Sequence, residues 1–441
     1  MGRRSFRTIL ALFTFAPALA PALAAAQDVD GRPISLPDAI KLAVQNQPST
    51  VAARNALRTG DASVRASLYQ FLPNLSFSYT GAEQGGSTFF QGRLVPYTGL
   101  PWSYSRGLST NLTLFDGGQR YYNYKASESN LDAFVATEVN QRYGVALSVK
   151  QQYYAILAAR ESDAAAQRTL EQAQQQLKVS VAKMIAGAAT RADSLTSAIA
   201  VGNARLQILN ARTNMRNANA ALTRLVASTT MVTALPSDTS ETGMVTIDEA
   251  ALTQLVSDGP AVRQAAAALM AANAQHKAAT TPYYPTLSTS YSYSQSPEPT
   301  QNFNFGSGQT SANTNFRLIL SYNIFNNFTR EQALVVARVN ADNADANLRD
   351  AKFFVQQNLT TQISNLRTAQ ETIQLQLLTI QQAIEAQRVV QQRYTLGAAA
   401  LLDVLQAEAS LDNARAALIQ ARLNARTAKA QIEALIGRDL Q

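Results

Sequence analysis

"RYTLGAAALLDVLQAEASL", residues 393–411, decides the fold, because a single glycine interrupts a region that otherwise avoids helix breakers. Upstream of Gly397 there is no glycine or proline until Gly308, and none follows until Gly437. Glycine readily adopts the left-handed conformation that ends many helices. The stretch therefore predicts two long helices joined by a tight turn. Asp403 is expected in the first turn of the second helix, where a carboxylate interacts favourably with the helix dipole.

The turn at Gly397 has a copy earlier in the chain. "IAGAATRAD" (185–193) repeats it, with Gly187 and Asp193 standing 210 residues before Gly397 and Asp403. The identity extends well beyond the turn into the following helix. Self-similarity at a fixed offset indicates a repeated structural unit.

A tandem duplication therefore organises the mature chain. We predict a first repeat over 27–236 and a second over 237–441. Each repeat is expected to contain a helix, a β-hairpin, a long helix, a tip turn and a return helix. The hairpins are predicted at 71–115 and 285–325, where "PNLSFSYT" and "PTLSTSYS" open them at equivalent positions.

The N-terminus predicts an exported protein. Arg3, Arg4 and Arg7 precede an apolar stretch that ends in small residues. This pattern is typical of a signal peptide, here 1–26, with cleavage near Gln27. The chain has no cysteine, and its net charge of +8 includes the three signal arginines. Such a modest charge gives no indication of a nucleic-acid partner.

Both predicted hairpins alternate apolar and polar residues, which is the period of a strand with two different faces. The alternating apolar residues are Leu75, Phe77, Tyr79, Leu108, Leu112 and Leu114 in the first hairpin, and Leu287, Tyr291, Tyr293, Phe316, Leu318 and Leu320 in the second. A soluble sheet with an aromatic core and a transmembrane barrel are both compatible with this pattern. The export signal and the concentration of aromatic residues favour the barrel. The polar connections 81–106 and 295–313 suit extracellular loops.

Four strands cannot close a barrel alone, since the smallest known barrels have about eight. An open sheet edge in lipid would leave backbone groups unpaired, at a cost of several kcal/mol each. Several copies of the chain are therefore expected to complete one barrel.

The helical segments predict an elongated protein. Helical stretches are expected at 37–68 and 248–280, and 67-residue helices at 120–186 and 330–396. At 1.5 Å per residue each long helix would reach about 100 Å. The return helices carry heptad seams, formed by Ala204, Ile208, Ala211, Met215, Ala218, Leu222 and Leu225, and by Leu411, Ala414, Leu418, Ala421, Ala425, Ala428, Ile432 and Leu435. An antiparallel coiled-coil rod would explain the seams but not the strands.

With these features the mature chain resembles the TolC family of outer membrane efflux proteins. The resemblance rests on "ISLPDAIKLAVQNQPSTVAARNAL", "FLPNLSFSY", "LTLFDGGQR" and, above all, the duplicated "RYTLGAAALLDVLQAEASL". It implies an α+β membrane protein in which three chains form one twelve-stranded barrel that continues into an α-helical periplasmic tunnel. It also implies a periplasmic adaptor at the tunnel tip and an inner-membrane efflux pump or ABC exporter behind it.

The resemblance also implies roles for single residues. Gly187 and Gly397 match the tip glycines, where the adaptor engages. Tyr394 matches a tyrosine that helps to hold the tip closed, and Asp403 matches an acid of the constriction ring. Asp193 is expected beside Gly187 at the adaptor-contact tip, and both aspartates are also explained as first-turn residues.

Three further positions bear on the tip. Arg191 is expected to be exposed there, either for adaptor contact or for solubility. Gln406 stands where the family pattern has a second ring acid, and Ala399 stands where it has an arginine. The gate is therefore expected to depend on Tyr394, on packing around Leu401 and Leu402, and on hydrogen bonds.

No constellation of catalytic residues is present, because nothing in the sequence pairs a nucleophile with a base. We therefore expect no enzymatic activity and no cofactor. The favoured function is a passive exit duct of a tripartite efflux or type I secretion system, located in the outer membrane with its helices in the periplasm. The alternative is a periplasmic coiled-coil scaffold or adaptor that does not span the membrane.

Overall fold

The computed structural model of the protein describes residues 31–96, 99–236, 248–303 and 308–440. The predicted signal peptide, 1–26, and its cleavage near Gln27 lie outside these residues. The predicted junction between the repeats, at 236/237, borders residues that are also outside them. The following description concerns the described residues alone.

The first half begins with a short strand and two helices, β1 (Arg32–Ile34), α1 (Leu36–Asn46) and α2 (Pro48–Tyr69). The sequence predicts one helical stretch over 37–68, and the structure divides it at Gln47. Gln47 has an extended backbone, with ψ of 133°, because a proline disfavours the helical conformation in the residue before it. Pro48 then occupies the first turn of α2, where its missing N–H costs nothing.

The helical stretch predicted over 248–280 is divided in the same way. It consists of α5 (Glu249–Val256) and α6 (Pro260–Thr280). Gly259 precedes α6 and lies against the carbonyl oxygen of Leu435, which would be 2.4 Å from a Cβ at this position. A side chain does not fit there, so close backbone approach requires the glycine.

Four strands form one antiparallel sheet. They are β2 (Asn74–Glu83), β5 (Trp102–Phe115), β7 (Thr286–Pro297) and β8 (Thr310–Ser321), paired in the order β2-β5-β7-β8. The connection predicted at 81–106 is shorter and contains a second hairpin, β3 (Ser87–Phe90) with β4 (Arg93–Pro96). The prediction of 295–313 is likewise too long at both ends. Both connections are predicted as polar loops, but β3 and β4 contain the exposed apolar residues Phe89, Phe90, Leu94 and Val95, and the four main strands continue past the predicted ends.

The long helices are α3 (Gln119–Ile185) and α7 (Thr329–Thr395), each of 67 residues. Each begins one residue before its predicted start. The return helices are α4 (Arg191–Val226) and α8 (Leu401–Ile436). The predicted heptad seams are confirmed, because their residues are buried or half-buried throughout.

The helices form a layer of four at each level. Near the sheet the neighbours are α2, α3, α6 and α7 in that order. Toward the turns at Gly187 and Gly397 the order becomes α4, α3, α8 and α7. The long helices thus run through both levels, and shorter partners change beside them.

The middle of the protein contains the largest cores. Strand β6 (Val232–Ala234) pairs in parallel with β1, and the fully buried Tyr153 of α3 joins them. Its hydroxyl donates to the carbonyl of Ile34 at 3.1 Å and accepts from the N–H of Leu235 at 3.0 Å. A buried polar group therefore fixes where α3 meets the small sheet.

An ion cluster joins the two halves beside this core. Lys150 of α3 donates to Glu433 at 2.7 Å and to Asp439 at 2.9 Å. Burial alone would lower the pKa of Lys150, but the hydrogen bonds to these two carboxylates raise it overall. The ammonium therefore stays charged and fixes the C-terminal residues to α3.

Both turns end their long helices in the same way. Gly397 has φ of +80° and Gly187 has φ of +73°, as the sequence predicts. The N–H of Ala398 bonds to the carbonyl of Arg393 at 2.7 Å, and the equivalent bond from Ala188 to Lys183 is 2.8 Å. This pattern is a Schellman cap, which satisfies carbonyl groups that the helix leaves open.

We expect Gly397→Ala to destabilise the tip turn by about 1 kcal/mol, the cost of a left-handed alanine. No atom lies within 4 Å of the added methyl group, so backbone strain is the whole cost. Gly144→Ala is the matched control, because Gly144 is exposed inside α3 with open space around it. There alanine should stabilise by about 0.5–1 kcal/mol. Denaturant unfolding measures both, and equal effects would contradict the assignment.

Candidate functional site

The strand pairing collects the predicted apolar residues on one face of the sheet. Phe77 lies opposite Leu108, and Leu108 lies opposite Tyr293 on the next strand. Tyr291 lies opposite Phe316 at the level below. Directly paired residues share a face, so the prediction of one apolar and one polar face is confirmed for the paired residues; Leu114 lies at a register shift and is unpaired, and Phe115 is opposite Leu287 in its place. Phe77 is 69% exposed and Phe316 is 70% exposed, so this face is uncovered in the single chain.

Aromatic residues mark the two ends of the apolar face. Tyr104 and Trp102 stack near Phe303 at the loop end, with the Trp102 and Phe303 ring centroids 5.0 Å apart. Phe115 marks the helix end of the same strand. From Tyr104 to Phe115 the strand rises about 36 Å, or about 28 Å along the membrane normal for a tilt of about 40°. That height matches the apolar band of about 25 Å on transmembrane barrels.

The outer edges of the sheet have no partner strand among the described residues. In an antiparallel ladder alternate residues direct both backbone groups to the same side. The N–H of Gln84 bonds to the carbonyl of Pro101, just before β5, so the even-numbered residues of β2 direct their backbone groups toward β5. Leu75 and Phe77 are odd-numbered and therefore direct their N–H and C=O groups away from β5. At the other edge, the N–H of Glu298 bonds to the carbonyl of Gln309, so the odd-numbered residues of β8 direct their backbone groups toward β7. Phe316, Leu318 and Leu320 therefore direct theirs away from β7. Both edges are therefore open along their apolar positions.

No helix in the described ranges is both long enough and apolar enough to cross a membrane. Within the same ranges, no group of three or more histidine, cysteine, aspartate or glutamate side chains is arranged to hold a metal ion.

The helix layer has open edges on the same two sides as the sheet. Helix α2 continues into β2, and β8 continues into α7. At the tip level the edge helices are α4 and α7. Each carries exposed apolar residues at heptad spacing, namely Leu195, Ile199, Leu206 and Leu209 on α4, and Leu375, Leu378 and Val389 on α7. These stripes face away from the rest of the chain.

Tyr394 lies at the centre of the tip and is only 5% exposed. The Lys183 ammonium lies 4.0 Å from the centroid of its ring and donates to its backbone carbonyl. The hydroxyl of Tyr394 is 3.4 Å from Ser180 Oγ, which is 2.8 Å from Ser197 Oγ. Three helices, α3, α4 and α7, therefore meet at this tyrosine.

Apolar packing surrounds the same tyrosine. Tyr394, Leu401 and Val404 form a small buried cluster with Val179 of α3. Leu402, by contrast, is 71% exposed. The expectation of packing at both leucines is therefore correct for Leu401 and wrong for Leu402 in the single chain, because adjacent residues of a helix are rotated by about 100° and only Leu401 faces the cluster.

The tip aspartates bind the backbone at the starts of their helices. Thr190 donates its N–H and its hydroxyl to the Asp193 carboxylate, at 2.9 and 2.8 Å, and accepts from the N–H of Asp193. Asp403 accepts from the N–H of Ala400 at 3.0 Å, but alanine has no hydroxyl to add. The predicted first-turn role is confirmed for both. A pore role for Asp403 remains a prediction.

The remaining predicted tip residues are on the surface. Arg191 is exposed, as expected, and so are Gly187 and Gly397. Asp403 and Gln406 are exposed on α8 one turn apart. They share an open face of the helix, and the structure does not bring either of them to Tyr394.

Two carboxyl groups are half-buried above the tip on α8. Asp412 accepts from the Thr169 hydroxyl of α3 at 3.0 Å. Burial raises the pKa of Asp412, and the Thr169 hydrogen bond and Arg415 oppose this. Burial and then the charge of Asp412 raise the pKa of Glu408, opposed by a hydrogen bond to Gln387. Folding therefore makes the charged form of both carboxyl groups less favourable than it is in water.

Lys183 and Ser180 were not found from the sequence. Lys183 is four residues before Gly187, where Arg393 stands before Gly397 in the second turn. A basic residue at the same place in both turns could have been noticed in the sequence. The contact between Lys183 and Tyr394 could not have been predicted, because 211 residues separate them.

A family model described as outer membrane efflux protein matches residues 39–228 and 251–438. No curated protein matches the chain in sequence. The two matched segments cover both halves of the protein, including both tip turns.

Several solved structures have the same fold. CusC, described with transmembrane channel formation, is 19% identical over 93% of this chain and 93% of its own, with a TM-score of 0.79. The outer membrane protein VceC of Vibrio cholerae is 19% identical over 92% and 97%, with a TM-score of 0.75. The open state of the MtrE outer membrane channel of Neisseria gonorrhoeae is 21% identical over 94% and 91%, with a TM-score of 0.74.

We expect Glu408→Gln to raise the melting temperature at pH 7. A carboxyl whose pKa is raised by folding contributes stability below its unfolded value of 4.5, and this is lost as the pH rises through the folded value. Glutamine removes that loss, so the difference from wild type should vanish at pH 4.

Glu385→Gln is the control, because Arg388 lowers the pKa of Glu385 through a hydrogen bond. This substitution should not stabilise the protein at pH 7. Thermal melting followed by circular dichroism measures both variants. A Glu408→Gln variant that is less stable than wild type at pH 7 would refute the expectation.

Proposed function

Because the chain belongs to the outer membrane efflux protein family, we propose that three copies of it assemble into one closed conduit through the outer membrane and the periplasm. The chain is an outer-membrane exit duct of an efflux system. We further propose that pairing of the edge strands closes the duct, that a side-chain contact holds its tip closed, and that a periplasmic adaptor binds the tip.

The main support for the proposal is that the open edges of the sheet and of the helix layer lie on the same two sides of the chain. One side of the chain presents β2 with α2 and, lower down, α4, whereas the other presents β8 and α7. A second copy that pairs its β2 with β8 therefore brings its α2 and α4 beside α7 at once. Four strands from each of three copies give twelve, which is enough to close a barrel.

Closure gives hydrogen-bond partners to the edge strands of the sheet and covers the exposed apolar stripes of the edge helices. Pairing the edge strands gives partners to the backbone groups of Leu75, Phe77 and Leu318, which lipid cannot hydrogen-bond. The apolar face then contacts lipid, and the polar face lines the lumen. Along the tunnel, the exposed apolar stripe of α4 packs against the stripe of α7 from the next copy. Each stripe is thereby removed from water.

The periplasmic scaffold reading is not favoured. It accounts for the helices and their seams, but it leaves an apolar sheet face and two open edges in water. Exposed edge strands of that kind promote aggregation unless they are paired or covered.

The tip is the proposed docking end. Gly187, Arg191, Asp193 and Gly397 lie on the two turns farthest from the sheet, and we propose that a periplasmic adaptor contacts them. An inner-membrane efflux pump or ABC exporter would supply the energy and deliver the substrate. The duct itself is passive in this proposal.

The contact between Lys183 and Tyr394 is the proposed latch of the closed tip. It joins the α3–α4 hairpin to the α7–α8 hairpin, which are separate in sequence. Where the family pattern has an arginine, this chain has Ala399, and Lys183 provides a cation from the other hairpin instead. Opening the tunnel would separate this pair.

Asp403 and Gln406 are proposed to line the narrow end. Both are exposed on one face of α8 just past the turn. Three copies of Asp403 around one axis would attract cations, and the amide of Gln406 would add no charge. The constriction would therefore have one ring of carboxylates.

Barrel closure is tested by Phe77→Pro. Proline removes an N–H that has no partner within the described chain but is needed between copies in lipid, at a cost of several kcal/mol. We expect this variant to be lost from the outer-membrane fraction and to lack a heat-modifiable trimer band. Phe77→Leu keeps the N–H and should retain both. If Phe77→Pro assembles like wild type, the proposed closure is wrong.

The latch is tested by Lys183→Met in a planar bilayer. Loss of a charged hydrogen bond and a cation–π contact removes about 1–3 kcal/mol, and each ~1.4 kcal/mol favours opening about tenfold. We expect the variant to spend a larger fraction of each single-channel recording in the open, higher-conductance state. Lys178→Met, on an exposed position of the same helix, should behave as wild type. Equal occupancy of the open state in wild type and both variants would refute the latch but not the duct.

A further inference from the structure

The polar face of the sheet contains one charged side chain within the four described strands. Its other members are serine, threonine, asparagine, alanine, glycine and one isoleucine, and the exception is Arg317 in the middle of β8. Phe316 and Leu318 flank Arg317 in sequence and belong to the apolar face. Alternation along the strand therefore puts the guanidinium on the polar side.

The surroundings of Arg317 leave its charge without a counter-ion. Arg317 lies opposite Ser290, and its Nε donates to Asn315 Oδ1 at 3.0 Å. No salt bridge or further hydrogen bond of the guanidinium occurs among the described residues, so both Nη groups remain available. Hydroxyl and amide neighbours accept hydrogen bonds but do not neutralise a positive charge.

We propose that Arg317, contributed once by each of three copies, forms an electropositive ring in the lumen that favours anionic solutes. This inference rests on the proposed barrel, in which the polar face lines the lumen. Carboxylate- and phosphate-bearing solutes are the class that such a ring selects, because the planar guanidinium binds these groups through two parallel hydrogen bonds.

The position of the ring makes it effective. Interior positions of a barrel with this many strands border water rather than a packed core, and screening in water extends over about 8 Å at physiological salt. Charges near the middle of the strand therefore act on each solute that passes.

The chain has no cysteine, so a single introduced thiol reports the local potential. Ser290→Cys puts the reporter opposite Arg317, on the same face. Isolated outer membranes containing this variant are treated with impermeant thiosulfonate reagents of negative or positive charge. The ratio of the two reaction rates measures the electrostatic potential at the thiol, whether the distant tip is open or closed.

We expect the anionic reagent to be favoured, and Arg317→Gln in the same background to lower the rate ratio by about twofold or more. Arg106→Gln is the matched control. Arg106 lies on the apolar face, where its Nε donates to Gln295 at 2.9 Å, and its removal should leave the ratio unchanged.

The outcomes distinguish this inference from the proposed function. If the thiol reacts but the ratio ignores Arg317→Gln, the ring is wrong and the barrel stands. If the thiol is inert in the membrane yet reacts after unfolding, the polar face does not line the lumen, and both the barrel orientation and the ring are overturned. An equal fall with Arg106→Gln would also refute the ring, because the effect would then not depend on the face.

Discussion

Unpaired backbone groups at the two sheet edges are the constraint on which the rest of the structure depends. Lipid offers no hydrogen bonds, so an open edge there costs several kcal/mol for each group. The apolar face at Leu75, Phe77 and Leu318 has the composition that lipid requires, yet the edges beside it are open. In the proposed trimer, the single chain is one third of a barrel whose hydrogen bonding is completed between copies.

The helices extend this constraint away from the membrane. Because β8 continues into α7 and α2 continues into β2, the edges of the sheet determine which helices meet between copies. Alanine-rich seams allow α7 and α8 to approach closely within a chain. The larger apolar residues are left at the outer edges, where a second copy would cover them in the proposed trimer. Polar contacts such as Lys150 with Glu433 then join the two halves of each chain.

Much of the fold was predictable, because its signals are local. The alternation of the strands, the 67-residue helices and the left-handed glycines each follow from the conformational preferences of adjacent residues. The errors have local causes too. Gln47 interrupts a helix because Pro48 follows it, and the strands β3 and β4 have only four residues each, too few for an alternating pattern to be recognised.

The sequence by itself determined the length of the two long helices, the two tip turns and the two faces of the four main strands, and it predicted more than one copy. Periodicity and the cost of unpaired backbone are sufficient for these features. Only the tertiary structure decided which side chains meet. Tyr394 contacts Lys183 and Ser180, and Arg317 shares its face with hydroxyl groups rather than with an acid. Such contacts depend on helix packing and strand register between segments far apart in the chain, and local periodicity contains no information about either.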